Sequence, residues 1–325
     1  VVTVFKDGSS QATFYKAEED GGATVLFQKE IIKAPKKYDT SGLPDSFPAT
    51  VKASVYDDAL VERTGFFKTV WGDHYRKVYG TEVTAKVVEI DTLYGGLKVI
   101  RAGGGHQTRS LRLQDKEGRD YNMRALKKSA VQFLQTVIVK DKEVEDDFKD
   151  TLPEDLILDF YTAAHPYGAF TIPKLAAAAN VFHTNPKLYY VPKQKALGEF
   201  NDAYGDELYM IVERPDEPYD GAIFNYPDDI ESTDDLLDKI RSDEENVVDE
   251  KTYIRARVFD MLIGDWDRHN DQWRWAEFKD QDGKDVFVPI PRDRDQVYAN
   301  FDACLIQYLS SVSSVWFRTE AYQMV

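Results

Sequence analysis

An α+β fold in two lobes, a small sheet-rich lobe followed by a helical one behind an N-terminal extension, is what this sequence predicts. Three observations predict it. Short β-like runs come first and helix-like runs follow, an order that separates strands from helices. The 325 residues, 42% apolar and 13% aromatic, suffice to bury the core of one large two-lobed domain. Two aspartate-rich motifs in the second half bracket what reads as a single β-hairpin.

Taken in order, residues 1–88 form the extension, where runs such as "ATVLFQKE" alternate with breaks such as "DTSGLPDSFP" and an aromatic, basic patch "VWGDHYRKVYG" has no assigned role. Residues 89–214 form the first lobe. There "GGLKVI" reads as a strand, "RAGGGHQ" as a glycine-rich loop, "TRSLRLQ" as an alternating strand, "DKEG" as a turn and "RDYNMRAL" as a third strand. "LPEDLILDFYTAAHP" and "TIPKLAAAANV" predict helices, the first started by Pro153 to Asp155 and stopped by Pro166. "ELYMIVE" is a buried strand running into a proline-bounded linker. Residues 215–325 form the second lobe, with helices over "STDDLLDKI" and "NVVDEKTYIRARVFDMLIG". In the latter Val247, Ile254, Val258, Met261 and Leu262 recur at near-helical spacing, and Gly264 stands where a helix C-terminus wants one.

Composition excludes several functions. A net charge of −16, from 41 basic and 57 acidic residues, argues against a nucleic-acid binder that reads phosphates through a basic face. No run reaches the roughly eighteen apolar residues of a membrane helix. The single cysteine, Cys304, excludes an internal disulfide and a cysteine-based zinc site and reads as packed. The opening "VVTVFKDG" lacks a methionine and an apolar leader, so a processed product or a piece of a longer chain is expected.

The chemistry lies in "GDWDRHNDQ" and "PIPRDRDQ". Between them "QWRWAEF", the turn "KDQDGK" and "DVFVPIP" form a hairpin, which returns its far end to the place it left. Asp267 and the pair Asp293/Asp295 are therefore expected close together. Either cluster alone reads as an exposed turn; bracketing a hairpin, they read as a site. Converging carboxylates call for a cation, and all-oxygen ligands favour Mg²⁺ or Mn²⁺ bridging to phosphates. An EF-hand loop does not fit, since Asn270 stands at the position of its sharp-turn glycine and Ala276 at that of its bidentate glutamate. The five histidines lie in no block that suggests zinc hydrolysis.

These motifs resemble the atypical kinases of the spore-coat CotH type, and the HipA-type and secretory-pathway kinases with their Asp-Arg-His catalytic loop. The run from "GGGHQTRSLRL" to "PIPRDRDQ" is similar to a kinase-like region of large bacterial cell-envelope proteins, over about Val87 to Gln296. The resemblance implies a two-lobed protein-kinase-like fold and an ATP- and divalent-metal-dependent phosphotransferase acting on a protein or other hydroxyl acceptor. Gly103, Gly104 and Gly105 would then lie over the phosphates, with ordinary hairpin flexibility as the competing reading. Arg124, which shares a strand face with Leu126 and Lys128, would take the place of the kinase lysine, with Lys128 as second choice. Asp159 or Glu154 would supply the helix acid that pairs with that cation. Glu213, in "MIVERPDE", would belong to the nucleotide-binding hinge. Asp267 would orient or deprotonate the acceptor hydroxyl. Asp293 and Asp295, with Gln272 or alternatively Asn270, would hold the metal. Arg268 is expected to pair with a neighbouring carboxylate, His269 to pack beneath the loop, and Trp266, Trp273 and Trp275 to be core.

Arginine for lysine and glutamine for a shorter ligand also fit a catalytically silent kinase-like module, which binds or assembles within a larger envelope protein. "DWD" and "DRD" as Asp-x-Asp motifs suggest a metal-dependent glycosyltransferase, against which the early meander argues.

Overall fold

A computed structural model describes residues 2–4, 10–17, 23–32, 38–103, 108–128, 161–216, 218–219 and 221–302. The first three strands, β1 (Val2–Val4), β2 (Ser10–Ala17) and β3 (Ala23–Ile32), make an antiparallel sheet of their own. The site is built on the two sheets that follow.

The larger sheet has seven strands: β4 (Thr50–Ala53), β5 (Val83–Val87), β6 (Lys98–Ala102), β7 (Thr108–Gln114), β8 (Asp120–Lys128), β9 (Lys187–Val191) and β10 (Glu207–Glu213). Their order is β4-β5-β9-β10-β8-β7-β6, antiparallel except where β5 runs parallel to β9. The meander read from sequence is thus β6-β7-β8, and β8 lies between β7 and β10. Residues 50–87 of the extension do not stand apart, since they supply β4 and β5.

Alternation along β8 decides what reaches the cleft. Met123 and Ala125 point into one core with Leu111, Leu113, Tyr209 and Ile211. Asn122, Arg124, Leu126 and Lys128 take the other face, where Arg124 stands opposite Met210 on β10 and Asn122 opposite Val212. Leu126 and Met210 pack there with Ala169 and Phe170. The chain from Gly168 then enters the helix α1 (Ile172–Ala178), whose Ile172 and Ala176 belong to the core of the next lobe. One segment therefore ties the two cores together.

The second lobe is mixed rather than helical. Its described residues hold helices α2 (Thr233–Ser242) and α3 (Glu250–Leu262) and a sheet of β11 (Asp229–Glu231), β12 (Val247–Val248), β13 (Trp273–Lys279) and β14 (Asp285–Pro291), in the order β11-β13-β14-β12. Ser232 caps α2 and Asp249 caps α3, each accepting a backbone N–H in the first turn. Val247 belongs to a strand and not to the helix expected there. The apolar stripe Ile254, Val258, Met261 and Leu262 faces outward, because Ala256, Phe259 and Ile263 take the inner side of α3 against Trp273 and Trp275. The helix expected over 152–166 lies outside the described residues but for its last six, and Asp159, Glu154 and Cys304 lie outside them altogether.

The hairpin β13–β14 pairs from Lys279↔Asp285 to Trp273↔Pro291. In its turn Asp280 accepts the N–H groups of Asp282 and Lys284, and Gly283 takes φ 82°, a backbone that favours glycine. The far end of β14 is thereby returned beside the start of β13.

Candidate functional site

Both aspartate motifs are held by a buried charge network beneath them. Helix α3 stops at Gly264, whose φ of 66° turns the chain, and the Asp265 N–H closes back on the Asp260 carbonyl. Arg268, almost wholly buried, pairs with Asp265 and lies 3.3 Å from Asp260. It also donates to the Arg292 carbonyl, while the Arg292 N–H donates to the Gln272 carbonyl at 2.8 Å. Arg268 thus joins the loop after α3 to the end of β14. Arg294 reaches down to Asp260 at 3.0 Å and over the Phe259 ring. Burial raises the Asp265 carboxyl to about 7 against the pull of Arg268, and raises Asp260 as well.

In "RDRD" the arginines and aspartates part company. Arg294 points to the network, whereas Asp293 and Asp295 meet β8. Asp293 pairs with Arg124; Asp295 lies 3.4 Å from Lys128 and 3.9 Å from Arg124. Asp293 adopts φ 52°, a left-handed backbone in which aspartate is more at home than most side chains. Asp267 completes the group. Burial raises its carboxyl above the ordinary value, Asp295 and Asp293 raise it further, and His269 and Lys128 oppose them. Asp295 shows the reverse: burial pushes it up, but Lys128 and Arg124 hold it below the usual carboxylate range. Burial works against charge on Arg124 too, and Asp293, Asp295 and Asp267 together keep it the more firmly protonated. Three carboxylates and two cations, distant in sequence, meet here.

Gln272 is buried with its amide nitrogen 3.5 Å from Asp293 Oδ2. Turned over, the amide donates to the carbonyls of Arg292 and Asp293 at 3.1 and 3.3 Å, and its oxygen then faces that carboxylate. Asn270 is not brought in: it is exposed, and its side-chain oxygen accepts the Asp271 N–H. His269 is likewise exposed rather than packed beneath the loop. Trp273 and Trp275 are core, whereas Trp266 is 42% exposed and meets Phe301 edge-on.

Above the aspartates a cleft of about 580 Å³, its open mouth included, runs between the seven-stranded sheet and the end of β14. Arg124, Met210 and Glu213 line it from the seven-stranded sheet, Ile172 and Pro173 from α1, and Arg292 and Asp293 from the segment after β14. A second cavity of about 420 Å³ continues past Arg124 to Lys128 and Asp295. Glu213 accepts the Asn185 N–H at 3.1 Å, and burial raises its carboxyl. Gly103 follows β6 with its N–H on the Ser110 carbonyl at 2.7 Å, and a Cβ there would strike the Ser110 hydroxyl. Gly104 and Gly105 lie outside the described residues.

Sequence reasoning missed the arginines. Arg214 and Arg292 line the cleft, Arg274 lies near enough to weigh on the charge of Arg292, and Arg112 on that of Arg274. Burial, with Arg274 and Arg214 adding to it, lowers Arg292 to about 9. Their signal was present only as alternation: Arg274 stands between Trp273 and Trp275, so burying both tryptophans turns it to the opposite face.

Among the described residues no group of three or more histidine, cysteine, aspartate or glutamate side chains is arranged to hold a metal ion, and no helix is long and apolar enough to cross a membrane. No family model, curated protein or solved structure matches the chain, so the functional reading rests on the residues and their geometry.

Proposed function

We propose that this chain is a kinase-like phosphotransferase that uses ATP and Mg²⁺ or Mn²⁺ and phosphorylates a hydroxyl group on a protein or small molecule. The observation that carries the reading is the meeting of Asp267, Asp293 and Asp295 with Arg124 and Lys128 beside a cleft bounded by Glu213. Phosphoryl transfer asks for a strand-borne cation, carboxylates for a metal and a group that orients the attacking hydroxyl. Arg124, on the third strand of the meander, supplies the first.

The residues fit a metal of this kind. Magnesium is usually held by one or two carboxylates plus substrate phosphates, so the lack of a three-ligand cage among the described residues does not count against it. Asp293 and Asp295 would hold it, and Gln272 in its turned orientation adds an oxygen 3.5 Å from Asp293 Oδ2, within reach of a shared ion at Mg–O distances of about 2.1 Å. When bound, the ion would neutralise phosphate charge. Arg124 would exchange Asp293 for a phosphate oxygen, to which its fork is suited. Asp267, raised by burial and by its neighbours, would accept a hydrogen bond from the acceptor hydroxyl and take its proton.

Transfer of labelled phosphate from ATP to an acceptor, lost in Asp267→Ala, tests the activity. A metal-dependent rise in melting temperature with ATP, lost in Asp293→Ala, tests the site. A second reading, a silent kinase-like module, draws on the Arg124–Asp293 pair itself, which already neutralises the metal ligand. ATP binding without transfer would favour it. A glycosyltransferase has less support, because β5–β9 and β12–β14 are the parallel pairs among the described residues and neither forms a nucleotide-binding βαβ half. A place in the cell envelope, within a larger protein, belongs to this proposal through the resemblance alone.

A further inference from the structure

In a chain of net charge −16, Arg214 and Arg292 line one end of the cleft, its outer end, and Arg274 and Arg112 lie close by. They come from both sheets. Arg112 stands opposite Asn122 in the β7–β8 ladder, on the face that carries Arg124, and Arg214 follows β10 with its N–H on the Asp120 carbonyl at 2.8 Å. Arg274 stands opposite Ile290 in the hairpin, and Arg292 lies two residues beyond Ile290, which makes the two arginines diagonal neighbours on one face. The ends of β10 and β14, from the two sheets, thus bring Arg214 and Arg292 to the lining of one cleft.

Three of the four have an acid of their own. Arg112 pairs with Asp120 at 2.6 Å, Arg214 with Asp216 at 2.7 Å, and Arg274 lies 3.7 Å from the exposed Asp271. Arg292 has none among the described residues, and its Nη1 is buried with no hydrogen-bond partner while its side chain lines the cleft. An unpaired, partly buried cation amid like charges is costly unless something anionic completes it. Forked guanidiniums on facing walls suit a group with several charged oxygens in different directions, which is a phosphate dianion rather than a planar carboxylate.

We propose that Arg292 and Arg214, which line the cleft, with Arg274 and Arg112 close by, form a binding site for a phosphate group next to Asp293. The site does not depend on phosphotransferase activity and would serve a silent module equally. Two sources share this chemistry: a phosphate of the nucleotide itself, or a phosphorylated second ligand.

Titration of inorganic phosphate into the full chain, followed by calorimetry in magnesium-free chloride buffer, tests it. Saturable one-site binding is expected, weakened by about tenfold or more in Arg292→Met, where a charge-assisted hydrogen bond is lost. Without phosphate, Arg292→Met should melt no lower than the parent, because it removes a repelled charge; a purely structural arginine would lower the melting point. Arg214→Ala, at a half-buried position, supplies a second variant and should weaken phosphate as well. Asp267→Asn should abolish transfer yet leave phosphate affinity within about twofold, so the two proposals fail separately. Absence of saturable binding, or equal affinity in the parent, Arg292→Met and Arg214→Ala, overturns the site. Repeating the titration with saturating ADP identifies the source: competition means the nucleotide's own phosphate, and undiminished binding means a second phosphorylated ligand.

Discussion

The two ends of the cleft solve the problem of buried charge in opposite ways. At the inner end each cation faces an acid, Arg124 with Asp293 and Lys128 with Asp295, and the surplus is one carboxyl, Asp267, whose charge burial and its neighbours disfavour. At the outer end arginines gather from both sheets and the surplus is one guanidinium, Arg292. A surplus acid whose value is raised can hold on to its proton and so stay put without a ligand. A surplus arginine would have to give one up, which it resists, and it calls for an anion. Under the proposed function the inner end would serve proton and metal chemistry and the outer end would hold an anion.

The largest effect expected is at the inner end. Asp267→Asn keeps the shape of the side chain but cannot take a proton, and should reduce phosphate transfer by about 10³-fold or more, with ATP-induced stabilisation retained. Equal transfer by both proteins would break the contrast, because Asp267 would then be one more buried acid. Next in size is Trp273→Ala, which removes the ring packed against Tyr253 and Trp275 under both ends. A stability loss of about 3–5 kcal/mol is expected from chemical unfolding, the range for large aromatic truncations in a core. Phosphate and ATP responses should then fall together, since Arg274 and the Asp293 segment hang on the same hairpin.

How far these arrangements could be read from sequence follows from the range of each signal. The meander and the hairpin were legible because period-two alternation and Asp-Gly turn chemistry act over a few residues. The approach of Asp267 to Asp293 and Asp295 was legible as well, since a hairpin is a local object that fixes a longer-range distance. The outward stripe of α3 was not: helical spacing groups Ile254, Val258, Met261 and Leu262 on a face but does not say which face the lobe covers. Nor does spacing say that Asn270 turns outward while Gln272, two residues on, turns in. The arginine cluster was illegible for a stronger reason. Its members come from β7, the end of β10, β13 and the end of β14, so only the docking of two sheets assembles them.

The two ends also differ in their response to pH. Asp265, under the inner end, titrates near 7 when folded against about 3.9 in an unfolded chain, burial being the main cause. A raised folded value means that the native state holds a proton the unfolded state has released, so stability falls as pH rises between these values, by up to about 1.4 kcal/mol per unit. Asp260 and Asp267 shift in the same direction and add to the slope. Carboxylates lowered by their partners, such as Asp295 and Asp115, act the other way but only as pH falls below their ordinary range. The outer end is silent over this window, because Arg292 stays charged below about 9. Melting temperature should therefore decline from pH 5 to pH 7.5, less steeply in Asp265→Asn, while Arg292→Met shifts the curve without changing its slope. A slope altered by Arg292→Met would mean that the two ends titrate as one.

The smallest effect concerns the glycine that follows β6. A methyl group on Gly103 would overlap the Ser110 hydroxyl and press on the Ser110 carbonyl that receives the Gly103 N–H. Gly103→Ala should cost about 1–2 kcal/mol, as overpacking a tight contact does, and Ser110→Gly in the same chain should return part of it by removing the obstructing hydroxyl. Phosphate binding at the outer end should not change in either variant, because Arg112 lies two residues past Ser110 on β7 and its partner Asp120 stands on a different strand. ATP-induced stabilisation should fall in Gly103→Ala and recover with the second substitution if β6 and β7 must hold their register for the nucleotide to sit against Arg124. A loss of ATP response that persists after Ser110→Gly, with stability restored, would locate the effect in the glycine itself, as close approach of a phosphate to the backbone requires.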